Sequence, residues 1–409
     1  MANGSLWTLM VYLAGDNNLS TAGEIDLAEM RTIGSTTEVN VVAQFDNAGQ
    51  AGTTRYHVGR KGIGEQPISL GETDSGSPEV LFDFVKWAVR AFPAERYALV
   101  LWNHGNGWEP TEIDRIAAGV GAKNYSAREA SERSSSQLGK AFFRRAISRV
   151  MELPSPTERA ICSDDGSGHS LDTVELGSVM AQIVQLIGKP IDLLGMDACL
   201  MSNLEVVYQI RELVDRVVAS EESEPNEGWP YDNVLRALTK NPRLGTADLA
   251  SKIVRAYIQS YTRRSYGGDV TQSALDPSQI QQLVQPLDEL AEVLSRDIAA
   301  VAGEVWNAQR KSVRFYHNTL WDIGSFCGEL IRVTANKDVR STAQGVVQAL
   351  VPGAGRFVAA ESHHGAGMTS CTGASIYLPA LTGISRYYDE LDFAKSHHWL
   401  GFLKAYAAA

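Results

Sequence analysis

The sequence predicts an α/β fold: a doubly wound, mainly parallel sheet with helices on both faces and a helix-rich C-terminal subdomain. Three observations lead there. Apolar runs of strand length recur at 6–14, 39–45, 97–102 and 191–196, each stops at a polar or glycine-rich turn, and helix-period segments stand between them. Strands with almost uninterrupted hydrophobicity are covered on both faces, and their alternation with helices is the pattern of parallel βαβ units.

Taken in order, the run at 6–14 ends in Gly15-Asp16-Asn17-Asn18, and Ile25, Leu27 and Met30 then recur at helical spacing. The strand at 39–45 is followed by an antiparallel excursion at 53–58. A helix over 78–92 gathers Val80, Leu81, Phe84, Val85 and Ala88 on one face, with Ser77 as its cap and Pro78 in its first turn. The strand at 97–102 closes in Asn103-His104-Gly105. Residues 109–159 break the rhythm with a polar, Ser/Ala-rich stretch and a helix near 136–151, and read as a surface insertion. The pattern resumes at 160–162, continues with a helix over 173–187 and the strand at 191–196, and reaches a short strand at 216–220 that enters an acidic, aromatic loop at 221–231. Beyond 240 the chain turns helical (249–261, 280–301, 304–311), with strands at 271–275 and 373–379 and a closing helix at 391–406. The division expected is a core over 1–239 and a helix-rich region over 240–409.

The 409 residues carry a formal net charge of -11, which argues against nucleic acid as the main partner and suits a protein that accepts basic substrates. Residues 1–5 lack a basic leader region and no apolar run is long enough to span a bilayer, so a cytoplasmic protein without membrane attachment is expected. Four widely spaced cysteines, Cys162, Cys199, Cys327 and Cys371, form no C-x-x-C pair and suggest neither a disulfide framework nor a zinc cluster. There is no G-x-S-x-G elbow and no phosphate-binding glycine loop, which excludes the commonest serine hydrolases and nucleotide binders.

Two strand ends carry chemistry. In an open parallel sheet, ligands bind beyond the carboxyl ends of the strands. Cys199 stands at one such end and His104 at another, and a thiol with an imidazole is the minimum set for acyl transfer. The N–H groups of Gly105 and Cys199 are suited to hold a tetrahedral oxyanion. Asp197, two residues before the thiol, either binds a cation or caps the turn. Asp16 and Asn17, at a third strand end, either line the cleft or cap their own turn.

Four segments carry a resemblance: W-T-L-M-V-Y-L-A-G-D-N-N-L at 7–19, L-V-L-W-N-H-G-N-G-W at 99–108, D-L-L-G-M-D-A-C-L-M at 192–201 and S-E-E-S-E-P-N-E-G-W-P-Y at 220–231. Together with T-Q-S-A-L-D at 271–276 and G-A-S-I-Y-L-P at 373–379, they resemble the clostripain family of cysteine peptidases, whose clan also holds caspases, legumain, gingipains and separase. The resemblance implies a caspase-like fold, Cys199 as nucleophile and His104 as its partner without a required third member. It implies that Asp197 binds the Arg or Lys before the scissile bond, with Glu224 and Glu227 as further acids for the same pocket. The expected partner is thus a basic peptide or protein. A catalytically silent scaffold binding such a peptide is the alternative. Relatives that mature by self-cleavage are cut between the His and Cys strands; the insertion falls there, and Lys123, Arg128 and Arg133 are its processing candidates. No metal or other cofactor is expected from the residues, and calcium is implied by resemblance alone, because 164–168 lacks an EF-hand ligand series. His363-His364 and His397-His398 read as surface or packing residues.

Overall fold

A computed structural model of the chain describes residues 4–48, 52–108, 161–164, 169–316, 318–379 and 383–409. The expected insertion, its helix, and Lys123, Arg128 and Arg133 lie outside the described residues. The chain forms two compact units: Met1–Lys189 with Asp197–Cys199 and Asn226–Arg243, and Pro190–Met196 with Leu200–Pro225 and Leu244–Ala409.

The first unit holds β1 (Ser5–Gly15), β2 (Val39–Asn47), β3 (Gly52–His57), β4 (Ile68–Gly71) and β5 (Ala94–Trp102) in the order β5-β1-β2-β3-β4. A short antiparallel pair, β6 (Ile161–Asp164) and β7 (His169–Leu171), is added to it. β1 is buried without alternation from Trp7 to Gly15, as its continuous hydrophobicity requires. It pairs in parallel with β2 and with β5, in a register that sets Gly15 opposite Asn47 and Leu13 opposite Trp102, so the carboxyl ends are level. β3 and β4 then run antiparallel. The chain moves from β1 to β2 on one side and returns past β1 to β5, and right-handed crossovers put the intervening helices on opposite faces. Ser20–Ile33 accordingly packs against Tyr231–Lys240, and Pro78–Ala91 against Thr173–Ile187. Pro78–Ala91 buries Leu81, Phe84, Val85 and Ala88, and each of its larger side chains contributes about 1.5–3 kcal/mol by leaving water. Thr173–Ile187 starts in a reciprocal capping box between Asp172 and Glu175 and stops at Gly188, φ 79°.

The second unit holds most of β8 (Ile191–Asp197), with β9 (Val214–Ala219), β10 (Val270–Leu275), β11 (Leu320–Asp322), β12 (Val358–His364) and β13 (Ser375–Tyr377). β8 and β9 are parallel, while β10 and β12 continue antiparallel from β9. β11 and β13 form a separate antiparallel pair. The two helices expected over 280–311 are a single helix, Gln281–Gln309, with Pro286 inside it. A mid-helix glycine such as Gly303 costs only about 1 kcal/mol, which packing against Ile323–Val333, Lys337–Ala349 and Trp399–Ala408 outweighs. The expected closing helix is instead broken into Asp392–Ser396 and Trp399–Ala408 at His397-His398. There Asp288 takes the place of helix partners: its Oδ2 meets His397 Nδ1 at 2.7 Å and its Oδ1 accepts the His398 N–H at 2.9 Å.

Candidate functional site

The catalytic residues expected from sequence, together with Asp197, Asp16 and Asn17, all fall in the first unit, at the carboxyl ends of three strands. Beyond β1 the chain must turn sharply: a Cβ at Gly15 would stand 2.6 Å from the Phe45 ring and 2.8 Å from the Asp46 carbonyl, so only glycine fits. Asn17 then folds the turn, its side chain donating to the Ala14 carbonyl at 3.1 Å and accepting the Leu19 N–H at 2.8 Å. Asp16 is half-buried beside it.

Asn103, just beyond β5, ties the ends together. Its side-chain N–H donates to the Ala14 carbonyl at 2.7 Å, and its side-chain oxygen accepts from Asn17 Nδ2 at 3.4 Å and from the His104 N–H. Its own backbone N–H donates to the Asp197 carbonyl at 3.3 Å. The residue before His104 is therefore bonded to the residue two before Cys199. His104 is 3% exposed, and its Nε2 lies 3.0 Å from Asn18 Oδ1. An amide oxygen can only accept, so this contact suits an Nε2–H donor on the imidazole.

Cys199 forms no disulfide and is 7% exposed. The chain leaves it through Leu200, held at φ 63°, a conformation that costs a branched or bulky residue energy and is characteristic of sharp functional turns. The following helix, Leu204–Gln209, begins only after Ser202 and Asn203, and the Asn203 side chain caps it by accepting from the Val206 N–H. Burial pushes the thiols of Cys162, Cys327 and Cys371 well above their ordinary range, which suits packing rather than chemistry.

Asp197 is buried, and its Oδ2 accepts from the Trp229 N–H at 3.2 Å and the Tyr231 hydroxyl at 2.8 Å. The loop at 226–231 thus meets the carboxylate two residues from the thiol. Glu224, expected at the same pocket, belongs to the second unit, where its Oε1 accepts from Gln272 Nε2 at 3.2 Å; Glu227 is exposed. Gly105 is buried directly after His104. Sequence reasoning passed over Asn18, Asn103, Tyr231 and Asp26. Asp26 left a readable signal, since it interrupts the buried stripe Gly23, Leu27 and Met30 of Ser20–Ile33.

Among the described residues, Glu221, Asp322 and Cys371 place atoms able to hold a metal within 4.8 Å of one another, in the second unit. Asp322 is fully engaged, accepting from the Thr372 and Ser325 N–H groups and the Thr372 hydroxyl. Burial, and then the charge of Asp322, pushes Glu221 well above the carboxylate range. A proton shared by these two acids would relieve the repulsion between them without a metal.

An α/β unit with a thiol, an imidazole and an acid gathered at its strand ends defines the caspase-like class. Within it, the chain belongs to the clostripain family of cysteine peptidases, whose model matches residues 11–121 and 150–406. It is 25% identical over 264 residues to clostripain of Hathewaya histolytica, covering 56% of this chain and 41% of that protein, so the chain spans about two-fifths of that relative's length. Among solved structures, it is similar to a secreted C11 cysteine protease of Bacteroides thetaiotaomicron bound to an irreversible peptide inhibitor, with TM-score 0.64, 18% identity and 98% and 99% of the two chains covered. An inactive zymogen C11 protease of Parabacteroides distasonis aligns with TM-score 0.64 and 18% identity over 97% and 99% of the chains. The expected cytoplasmic location is overturned by these relatives, since the Bacteroides thetaiotaomicron proteins are secreted. A leader is a removable address that the folded domain does not need, so the composition of residues 1–5 was no guide to compartment.

Proposed function

We propose that this chain is a cysteine endopeptidase that cuts after Arg or Lys through Cys199 and His104. The observation that carries the reading is the hydrogen bond from the Asn103 N–H to the Asp197 carbonyl, which joins the turn bearing the imidazole to the turn bearing the thiol and its neighbouring acid.

The chemistry follows from these atoms. His104 Nδ1 takes the Cys199 proton, and the thiolate sulfur attacks the scissile carbonyl carbon. The electron pair moved onto oxygen is held by the N–H groups of Gly105 and Cys199. When the intermediate collapses, the C–N bond breaks and the leaving amine takes the proton from the imidazolium. Water, deprotonated by His104, then opens the thioester and restores the thiol. Asn18 keeps the Nε2–H occupied throughout, so that Nδ1 is the working nitrogen. Asp197 selects the substrate, because a carboxylate out of bulk water pairs strongly with a guanidinium or ammonium. The partner class is therefore a protein or peptide with a basic residue before the cut. No helix among the described residues is long and apolar enough to cross a membrane.

Labelling with an arginyl acyloxymethyl ketone tests the reading. Cys199 should be alkylated far faster than free thiol in the wild type, slowly in His104→Ala, and not at all in Cys199→Ala. Labelling at the rate of free thiol in the wild type would favour the silent peptide-binding scaffold.

A further inference from the structure

We propose that Asp26 is a second acid of the basic-residue pocket, acting with Asp197 on the cationic head of the residue before the scissile bond. The inference rests on the reading of Asp197 given above and adds a specificity residue from a different element.

Asp26 lies on Ser20–Ile33 and is 1% exposed, a position where an apolar side chain is the ordinary occupant. One bond anchors it, from Trp102 Nε1 to its Oδ2 at 2.7 Å. Gly228 shows where the carboxylate stands. A Cβ at that residue would lie 3.1 Å from each Asp197 carboxylate oxygen and 3.4 Å from Asp26 Oδ2, so the two acids converge on one point from a strand end and a helix. At φ 50°, Gly228 carries the loop past them without a side chain in the way.

Anchoring an indole does not require a charged group there, since a neutral hydrogen bond serves as well. Two buried carboxylates at one point repel unless a proton or a cation stands with them. The charged groups acting on Asp26 are Asp197 and Glu29 on its own helix, and the Tyr231 hydroxyl is seated on Asp197. Burial, followed by the charges of Asp197 and Glu29, raises Asp26 well above the carboxylate range, the direction in which a cation set between the two acids competes with a proton. A guanidinium has five donors in a planar fork and can serve two carboxylates at once. Its entry displaces the proton, and binding of a basic side chain therefore releases a proton to solvent.

The experiment compares peptides identical except for arginine or its neutral analogue citrulline before the scissile bond, on wild type, Asp197→Asn and Asp26→Asn. Asp26→Asn should lower the arginine-to-citrulline ratio of kcat/KM by roughly tenfold, mostly through the KM of the arginine peptide. An unchanged ratio in Asp26→Asn with a collapsed ratio in Asp197→Asn overturns the proposal and leaves Asp26 as an anchor for Trp102. An unchanged ratio in Asp197→Asn refutes the basic-pocket reading itself. A second measurement needs no substitution at Asp26: benzamidine is titrated calorimetrically into Cys199→Ala, in buffers of different ionisation enthalpy. Binding heats that vary with the buffer as proton release requires support the shared pair; buffer-independent heats overturn it.

Discussion

His104 Nε2 faces Asn18 Oδ1 at 3.0 Å, so an exposed asparagine in the turn after β1 orients a buried imidazole beyond β5. Asn18→Ala should therefore impair chemistry without affecting folding. A fall in kcat of roughly tenfold to a hundredfold is expected, the scale of losing an orienting partner, with an unchanged melting temperature. Alkylation of Cys199 across pH gives an independent check, because a ring free to reorient activates the thiol less well near neutrality.

Cys199→Ala should abolish turnover, and His104→Ala should reduce it by a factor on the order of a thousand or more. Both proteins should unfold cooperatively, close to the wild-type melting temperature for Cys199→Ala, whose substitution removes one atom. More than a few per cent of wild-type turnover in Cys199→Ala would remove the thiol from its assigned role.

The strands that present the site were legible in the sequence because β1, β5 and β8 are apolar nearly throughout and end in polar turns. His104, Cys199 and Asp197 could be picked out for the same reason. Ile323–Val333, Lys337–Ala349 and β12 were not read as elements. Lys337–Ala349 buries only Val339, Ala343, Val346 and Ala349, a stripe of small residues that does not stand out from its polar neighbours, and β12 is half-buried nearly throughout. Punctuation misled in the other direction, as Gly303 did not interrupt Gln281–Gln309. The roles of Asn18 and Asp26 depend on partners 86 and 76 residues away, His104 and Trp102, and no local pattern in one sequence specifies such a pairing.

If the proposed basic specificity holds, Lys123, Arg128 and Arg133 between the histidine and cysteine strands would be a tethered substrate at an effective concentration on the order of millimolar. One bond after these residues should be cut in active protein and left intact in Cys199→Ala. Denaturing electrophoresis of the two proteins, with terminal sequencing of any fragments, gives the answer. A wild-type chain that remains whole while hydrolysing arginyl peptides at full rate would assign the segment another task.

Glu205 supplies a prediction about stability alone. It is fully buried, with its Oε1 accepting the Tyr377 N–H at 3.0 Å and the Tyr388 hydroxyl at 2.9 Å, while Oε2 has no hydrogen-bond partner among the described residues. Burial outweighs those bonds and raises its pKa from 4.5 to about 7. The folded protein therefore binds a proton more tightly at this site than the unfolded chain does. The resulting stabilisation is fully present below the unfolded value and is lost as pH rises through the folded one. Between about pH 4.5 and pH 7 this single group should cost on the order of 3 kcal/mol of stability. Glu205→Gln keeps an acceptor for both tyrosine groups and has no charge to bury, so its urea midpoint should overtake that of the wild type above neutrality. The comparison is best made in a Cys199→Ala background, where self-digestion cannot distort the curves. Parallel pH profiles for the Glu and Gln proteins would show that Glu205 stays ionised in the folded state.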